Sequence, residues 1–438
     1  MMLDKAMTSV ADRPPPKSAV VLVSNGPGEL STWVRPLALR LQRSWLPRSS
    51  SRFASRSLQL VLVPCPNGTG REHQVAESWD LFDRIVPARL FWRLLLWPGR
   101  YGPWPRQGVV VFLGGDQFWT VLLSARLGYR HLTYAEWVAR WPRWNDRIAL
   151  MGAQAERALA PRWRSRSRVV GDLMADLSEE ARTVMPLPPG PWLALLPGSK
   201  RAKLRVGVPF LLEVADRLAQ LSPTCRCLLP LAPTVTAEEL VAYAGPCNRI
   251  ARFYKSGVPR LVASDVLVPG RQALLTPAGT RVELVLESPA HAALSQSVLA
   301  LTTVGANTAE LGALAVPMLV LLPTQHLEVM QAWDGFAGLL GRLPGLHRLL
   351  GLALTLWRLR HRGFLASPNI AAGRLVVPER VGVITPQQIA EESAAWLAAP
   401  QRLAAMQQDL RSLRGRPGAV AAMGDMIGEL LSGPPASS

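Results

Sequence analysis

The 438-residue chain is poor in cysteine, histidine and lysine. Its four cysteines are too few for a disulfide scaffold and indicate a reducing compartment. None of its six histidines falls in H-E-x-x-H or H-x-x-x-H, His326-x-Glu328 lacks partners, and Cys225-x-Cys227 has no second pair. No metal site is therefore expected. Three motifs are also missing: D-x-D, the P-loop order G-x-x-x-x-G-K-[ST], and the dinucleotide-binding order G-x-G-x-x-G. No apolar run approaches the roughly 18–20 residues of a spanning helix. The segment Met1–Lys17 carries acids and prolines without the apolar stretch of a signal peptide. Charged residues make up only 18% and hydrophobic residues 49%, which excludes a disordered chain. The expectation is a cytoplasmic protein of two domains, because a single core rarely grows past roughly 250–300 residues.

What is abundant is arginine. Of 49 basic residues only Lys5, Lys17, Lys200, Lys203 and Lys255 are lysines, and the net charge is +18. Codon bias is one reading of the arginine excess; the other is an anionic partner: nucleic acid, a membrane surface or a phosphorylated substrate. Two stretches interleave arginine with tryptophan, Leu90–Arg106 and Trp137–Arg168. That composition suits a membrane interface, and it also suits stacking on single-stranded bases. A third stretch, Leu339–Phe364, holds a nine-residue apolar core, Leu349–Trp357, flanked by arginines. It reads either as an interfacial helix or as a core helix with a solvated basic end.

Short apolar runs at Val20–Val23, Leu58–Val63 and Val109–Leu113 each end in a small-residue turn, with helical spacing at Trp33–Gln42 and Phe118–Leu127. This order predicts an α/β domain with a parallel sheet, whose ligands bind beyond the carboxyl ends of the strands. After Pro186–Pro191 the pattern restarts, with strands predicted at Trp192–Leu196, Cys225–Leu231, Val282–Glu287, Val298–Thr302 and Pro317–Leu322. The expected organisation is a disordered segment 1–17, a Rossmann-like domain 18–185 and a second one 186–397. Helices over 398–438 are expected to pack back on the first domain.

Four turns carry candidate chemistry. Leu196-Pro197-Gly198-Ser199-Lys200-Arg201 opens a strand into backbone N–H groups followed by a hydroxyl and two cations, an arrangement used for phosphate. An ordinary basic surface turn has the same spacing. Gly305-Ala306-Asn307-Thr308-Ala309-Glu310 also follows a strand, with a glycine for close approach, two capping residues and a carboxylate able to accept from a sugar hydroxyl. A capped helix with a favourable dipole charge reads the same way. Asp116, after Gly114-Gly115, is a candidate general base or a helix N-cap. Asn25-Gly26-Pro27-Gly28-Glu29 is the fourth, and the weakest.

Taken in order, these residues resemble the lipid-A-disaccharide synthase family. Leu196–Arg201 matches that family's L-P-G-S-R, and Gly305 with Glu310 matches its S-G-T-x-x-x-E. Ser367-Pro368-Asn369-Ile370 and Val376-Val377-Pro378-Glu379 match a late L-P-N…V-P-E run. Gly115-Asp116-Gln117-Phe118, Trp137-Val138-Ala139-Arg140 and Val170-Gly171-Asp172-Leu173-Met174-Ala175-Asp176 match more loosely. The chain departs at its first loop, where Gly26–Ser31 replaces G-E-x-S-G-D, and at Val304-Gly305-Ala306.

The resemblance implies a GT-B fold, two Rossmann-like domains facing each other across a cleft. It implies an inverting, metal-independent hexosyltransferase that moves an acylated glucosamine from a UDP-sugar to a phosphorylated glycolipid acceptor, with no cofactor. The implied donor residues are Gly198, Ser199, Lys200, Arg201, Gly305, Asn307, Thr308, Glu310, Asn369 and Glu379. Asp116 would take the acceptor's proton, and Asn25, Gly26, Gly28 and Glu29 would line the acceptor side. Expected partners are the UDP-sugar, the glycolipid and an anionic membrane surface to which the protein is peripherally bound. Nucleic acid is not expected, and oligomeric state is left open. A nucleotide-sugar 2-epimerase on the same fold and a non-enzymatic basic nucleic-acid or membrane binder are the alternatives.

Overall fold

The computed structural model describes residues 17–45, 56–64, 70–102, 104–177, 187–264, 266, 271–326, 363–415 and 417–432. The segment 1–16 and nearly all of Leu339–Phe364 lie outside the described residues. The chain forms two α/β units. One runs to Leu173 and resumes at Pro417; the other is Met174–Arg416.

The first unit contains strands β1 (Ser18–Ser24), β2 (Arg56–Leu62), β3 (Arg84–Val86), β4 (Gln107–Phe112), β5 (Arg130–Ala135), β6 (Arg147–Leu150) and β7 (Ser167–Val169). They form one sheet in the order β3-β2-β1-β4-β5-β6-β7, and every pairing is parallel. Val20 lies opposite both Leu58 and Val109. Every residue of β1 is buried, so both sheet faces are covered, and this is why the strand is a continuous apolar run without alternation. The helices used below are α1 (Arg35–Trp45), α2 (Phe91–Leu96) and α3 (Gln117–Leu127). A core of Val21, Val23, Val61, Val110, Phe91, Leu94 and Leu123 joins the sheet to α2 and α3. α3 ends at Gly128, whose left-handed φ of 66° closes the helix.

The second unit contains β8 (Trp192–Leu196), β9 (Arg226–Pro230), β10 (Arg260–Ala263), β11 (Gln272–Leu275), β12 (Arg281–Val285), β13 (Leu299–Thr303), β14 (Met318–Pro323) and β15 (Glu379–Gly382). The sheet order is β10-β11-β12-β9-β8-β13-β14-β15. The pairings of β10 with β11 and β11 with β12 are antiparallel, and the rest are parallel. α4 (Arg201–Leu221) packs on it, followed in the chain by α5 (His291–Ser295), α6 (Ala306–Ala313), α7 (Ser367–Ala372), α8 (Pro386–Leu397), α9 (Pro400–Leu413) and α10 (Ala419–Ser432). α8 opens on a capping box between Thr385 and Gln388, with Pro386 at its first position.

The domain limits differ from the sequence expectation. Leu177 sits in the second unit's core, which moves the boundary from 185/186 to 173/174. The terminal helices do not act as one block. Leu403, Met406 and Leu410 of α9 bury into the second unit's core, and only α10 belongs to the first unit. There it packs on α1 and β4, burying Met423, Met426 and Ile427.

Candidate functional site

In the first unit, the strand order reverses direction between β1 and β4, with the chain winding outward on either side. That is the topological switch point where α/β sheets bind ligands. The turns that follow these two strands pack against each other. Gly114 leaves no room for a side chain, because a Cβ there would stand 2.9 Å from Ser24 Oγ and 3.2 Å from the stem of Glu29. Gly115, at φ +95°, likewise faces Val63 and Asn25. A Cβ on Gly26 would collide with the Glu29 carboxylate, and Gly28 O accepts from Thr32 Oγ1 at 2.9 Å. Asn25, Gly26, Gly28 and Glu29 are thus brought beside Gly114-Gly115-Asp116.

Asp116 is exposed and caps α3, its Oδ1 accepting from the Phe118 N–H at 3.0 Å. Gln117 ties the same helix start to the following tryptophan segment. Its Nε2 donates to Val138 O at 2.8 Å, and its Oε1 accepts from the Arg140 N–H at 2.7 Å.

One residue here escaped the sequence reading. Glu136 directly follows β5, and burial together with the nearby carboxylates of Asp172 and Glu29 raises its pKa to about 7, against a hydrogen bond from Trp137. Tyr134 fixes the surroundings: its hydroxyl donates to Gly171 O and accepts from the Leu173 N–H, both at 3.3 Å, and its ring meets Trp33 edge-on at 5.4 Å. A carboxyl poised near neutrality can both give and take a proton. No local signal marks it, because buried His131 and Thr133 break the apolar run of the strand that ends beside it.

In the second unit, β8 and β13 are parallel neighbours, with Leu196 opposite Thr302. Their closing turns, Pro197–Lys200 and Val304-Gly305, are therefore adjacent. α4 starts at the first turn and α6 at the second. Gly207 lets α4 lie against β8's exit, since a Cβ there would fall 2.8 Å from Pro197 O and 2.9 Å from Pro197 Cα. Gly198 (φ +99°) and Gly305 (φ +147°) hold backbone shapes that suit glycine. Ser199, Lys200 and Asn307 are half-buried and Arg201 is exposed. Lys203, which the motif reading passed over, spans both turns by donating from Nζ to Val304 O at 2.6 Å.

Three of the expected donor residues hydrogen-bond to other parts of the second unit. Thr308 is fully buried and ties α6 to α7: its hydroxyl lies 2.8 Å from Gly305 O and 3.2 Å from Ser367 Oγ, and it accepts from the Ser367 N–H at 3.1 Å. Asn369 is 0% exposed. Glu379 accepts from the Leu365 and Ala366 N–H groups. Glu310 Oε1 lies 2.9 Å from Nε2 of buried His291. Among the described residues, no three His, Cys, Asp or Glu side chains gather in a metal-binding arrangement.

No protein-family model matches the chain. It is 30% identical over 230 residues to a lipid-A-disaccharide synthase of Myxococcus xanthus, covering 52% of this chain and 45% of that protein. It is 26% identical over 231 residues to the synthase of Syntrophus aciditrophicus, covering 52% and 46%. Over about half of its length the chain is thus similar to lipid-A-disaccharide synthases. It spans about half the length of these curated relatives. Among solved structures, a UDP-bound MnaA of S. aureus superposes with a TM-score of 0.52 at 12% identity, over 96% of this chain and 100% of that one. A protein described as a UDP-N-acetylglucosamine 2-epimerase of Listeria monocytogenes gives 0.51 at 13% identity, over 94% and 95%. These likenesses, with two Rossmann-like sheets in tandem, give the GT-B fold.

Proposed function

We propose that the protein is an inverting, metal-independent glycosyltransferase that moves an acylated glucosamine-type sugar from a UDP-sugar to a glycolipid acceptor, the reaction class of lipid-A-disaccharide synthesis. The observation that carries this reading is the pair of adjacent turns closing β8 and β13. Both are held by glycines at positive φ, both open into helices, and cations follow the first. Such a pair presents backbone N–H groups and positive charge to a diphosphate. Gly198, Ser199, Lys200, Arg201, Gly305 and Asn307 bind it. Glu310, beside His291, takes the ribose, and Thr308, Asn369 and Glu379 keep the turns in shape. Charge building on the departing UDP is stabilised by these fixed groups.

In the first unit, Asp116 accepts the proton of the attacking hydroxyl, beside Asn25, Gly26, Gly28 and Glu29. The protein works at an anionic membrane surface. The support is an aromatic chain next to Asp116, exposed at both ends. Ring centroids lie 4.9 Å apart for Trp92–Trp119, 5.5 Å for Trp119–Phe118, 5.6 Å for Phe118–Trp141 and 5.6 Å for Trp141–Trp144. Trp92 (51%), Trp97 (52%), Leu96 (60%) and Trp144 (55%) are open to solvent, with exposed Arg93, Arg100, Arg140 and Arg143 among them. Tryptophan and arginine together favour a headgroup layer. No helix among the described residues is long and apolar enough to cross a membrane.

The test is UDP release from a panel of UDP-sugars with a lipid extract, followed by mass spectrometry of the lipids. A UDP-sugar consumed with a new glycolipid formed is the expected result. Isomerisation of the sugar without acceptor would instead identify a 2-epimerase, for which Glu136 with Glu29 and Asp172 supplies the acid–base groups.

A further inference from the structure

We propose that Lys203 is a ligand of the diphosphate of a nucleoside-diphosphate donor, acting at the junction of the Gly198 and Gly305 turns; this rests on the donor reading above. Lys203 stands in the first turn of the 21-residue α4, where a cation opposes the helix dipole, and that turn contains no acidic residue. Its side chain does not run out along the helix surface. It folds across the two turns, and both glycines are shaped around it. A Cβ on Gly198 would stand 3.0 Å from Lys203 Cβ and Cδ, and one on Gly305 would stand 2.6 Å from Nζ. The ammonium's bond to Val304 O, at 2.6 Å, fixes it at the mouth of the second turn.

A second observation points to the same spot. The hydroxyl of Thr303, a residue only 6% exposed, makes no hydrogen bond, although a buried hydroxyl is normally satisfied. It lies 3.4 Å from the Cβ position of Gly198, alongside the Lys203 stem. A cation held between two glycine turns, with a buried hydroxyl awaiting an acceptor beneath it, is complementary to phosphate oxygens. An alternative role for Lys203 is a brace that only ties the turns together.

Binding of UDP and of uridine to the full chain, followed by calorimetry, separates the two roles. For a diphosphate ligand, Lys203→Met weakens UDP about 10–100-fold, the worth of a charged hydrogen bond. Uridine affinity stays unchanged, and Lys203→Arg restores most of the loss. Lys203→Gln serves the same comparison if the methionine variant does not fold. A brace predicts equal loss for UDP and uridine, with a lowered melting temperature, and that result overturns the inference. So does a methionine variant that binds UDP as wild type does. Wild-type protein that fails to bind UDP overturns the donor reading and this inference together.

Discussion

The side-chain amide of Asn369 donates to the Glu379 carboxylate at 2.7 Å and to Val377 O at 2.8 Å, while its oxygen accepts from the N–H groups of Val376 and Val377 at 2.7 and 2.9 Å. One buried amide therefore uses its whole hydrogen-bonding capacity to hold α7 against the start of β15. Asn369→Ala strands several buried groups at once, each costing about 1–3 kcal/mol. A loss of about 3–4 kcal/mol in urea unfolding is expected. A loss below about 1 kcal/mol would show that the knot is dispensable.

Asp116 has two separable duties. As the cap of α3 it can be replaced by asparagine, which caps equally well, whereas alanine costs about 1 kcal/mol. As a base it cannot be replaced by asparagine. Asp116→Asn is thus expected to keep its stability within about 0.5 kcal/mol and to keep UDP binding, while UDP release with acceptor falls to background. Full turnover in this variant would remove Asp116 from the chemistry.

Glu136 makes stability depend on pH in a definite direction. Its pKa rises from the ordinary 4.5 to about 7 in the folded protein, first through burial and then through Asp172 and Glu29. Between those values the folded state holds a proton that the unfolded chain has released. Stability from this residue is therefore present below about 4.5 and is lost as pH rises through 7. Glu136→Gln removes the titration. It is expected to be more stable than wild type at pH 8 by about 1 kcal/mol, discounted for partial exposure, with the difference closing towards pH 4. Parallel denaturation curves at all pH values would contradict this environment for Glu136.

The sheet and its turns were readable because parallel strands covered on both faces become short apolar runs, and each run ends in glycine or proline at the binding edge. β1, β4, β8 and β13 follow that rule, and so the turns at Asn25, Gly114, Gly198 and Gly305 fell in the right places. β5 was missed for a physical reason: His131 and Thr133, which bond in a buried network with Asn145, interrupt its apolar pattern, while β6 is only four residues long. Burial lowers the His131 pKa to about 4, so that it stays neutral there. Lys203 looked like one more cation on a helix, since nothing local reveals that its side chain turns back. The burial of Asn369 and Thr308 was not legible either, because a motif marks which polar residues recur and not how deeply they sit.

The aromatic chain from Trp92 to Trp144 makes a prediction about lipid. Trp92 and Trp144, at its two ends, are about half exposed, so Trp92→Ala with Trp144→Ala leaves the melting temperature nearly unchanged. Each half-exposed indole withdrawn from water contributes about 1 kcal/mol to membrane binding. Co-sedimentation with phosphatidylglycerol vesicles is therefore expected to weaken about 10–30-fold in the double variant. Arg93→Glu with Arg143→Glu removes attraction worth about 1 kcal/mol per charge, and that loss shrinks as salt rises. Neutral phosphatidylcholine vesicles separate the two contributions, because they retain the tryptophan effect and lose the arginine one. Sedimentation of both variants equal to wild type would mean that this face does not meet the bilayer.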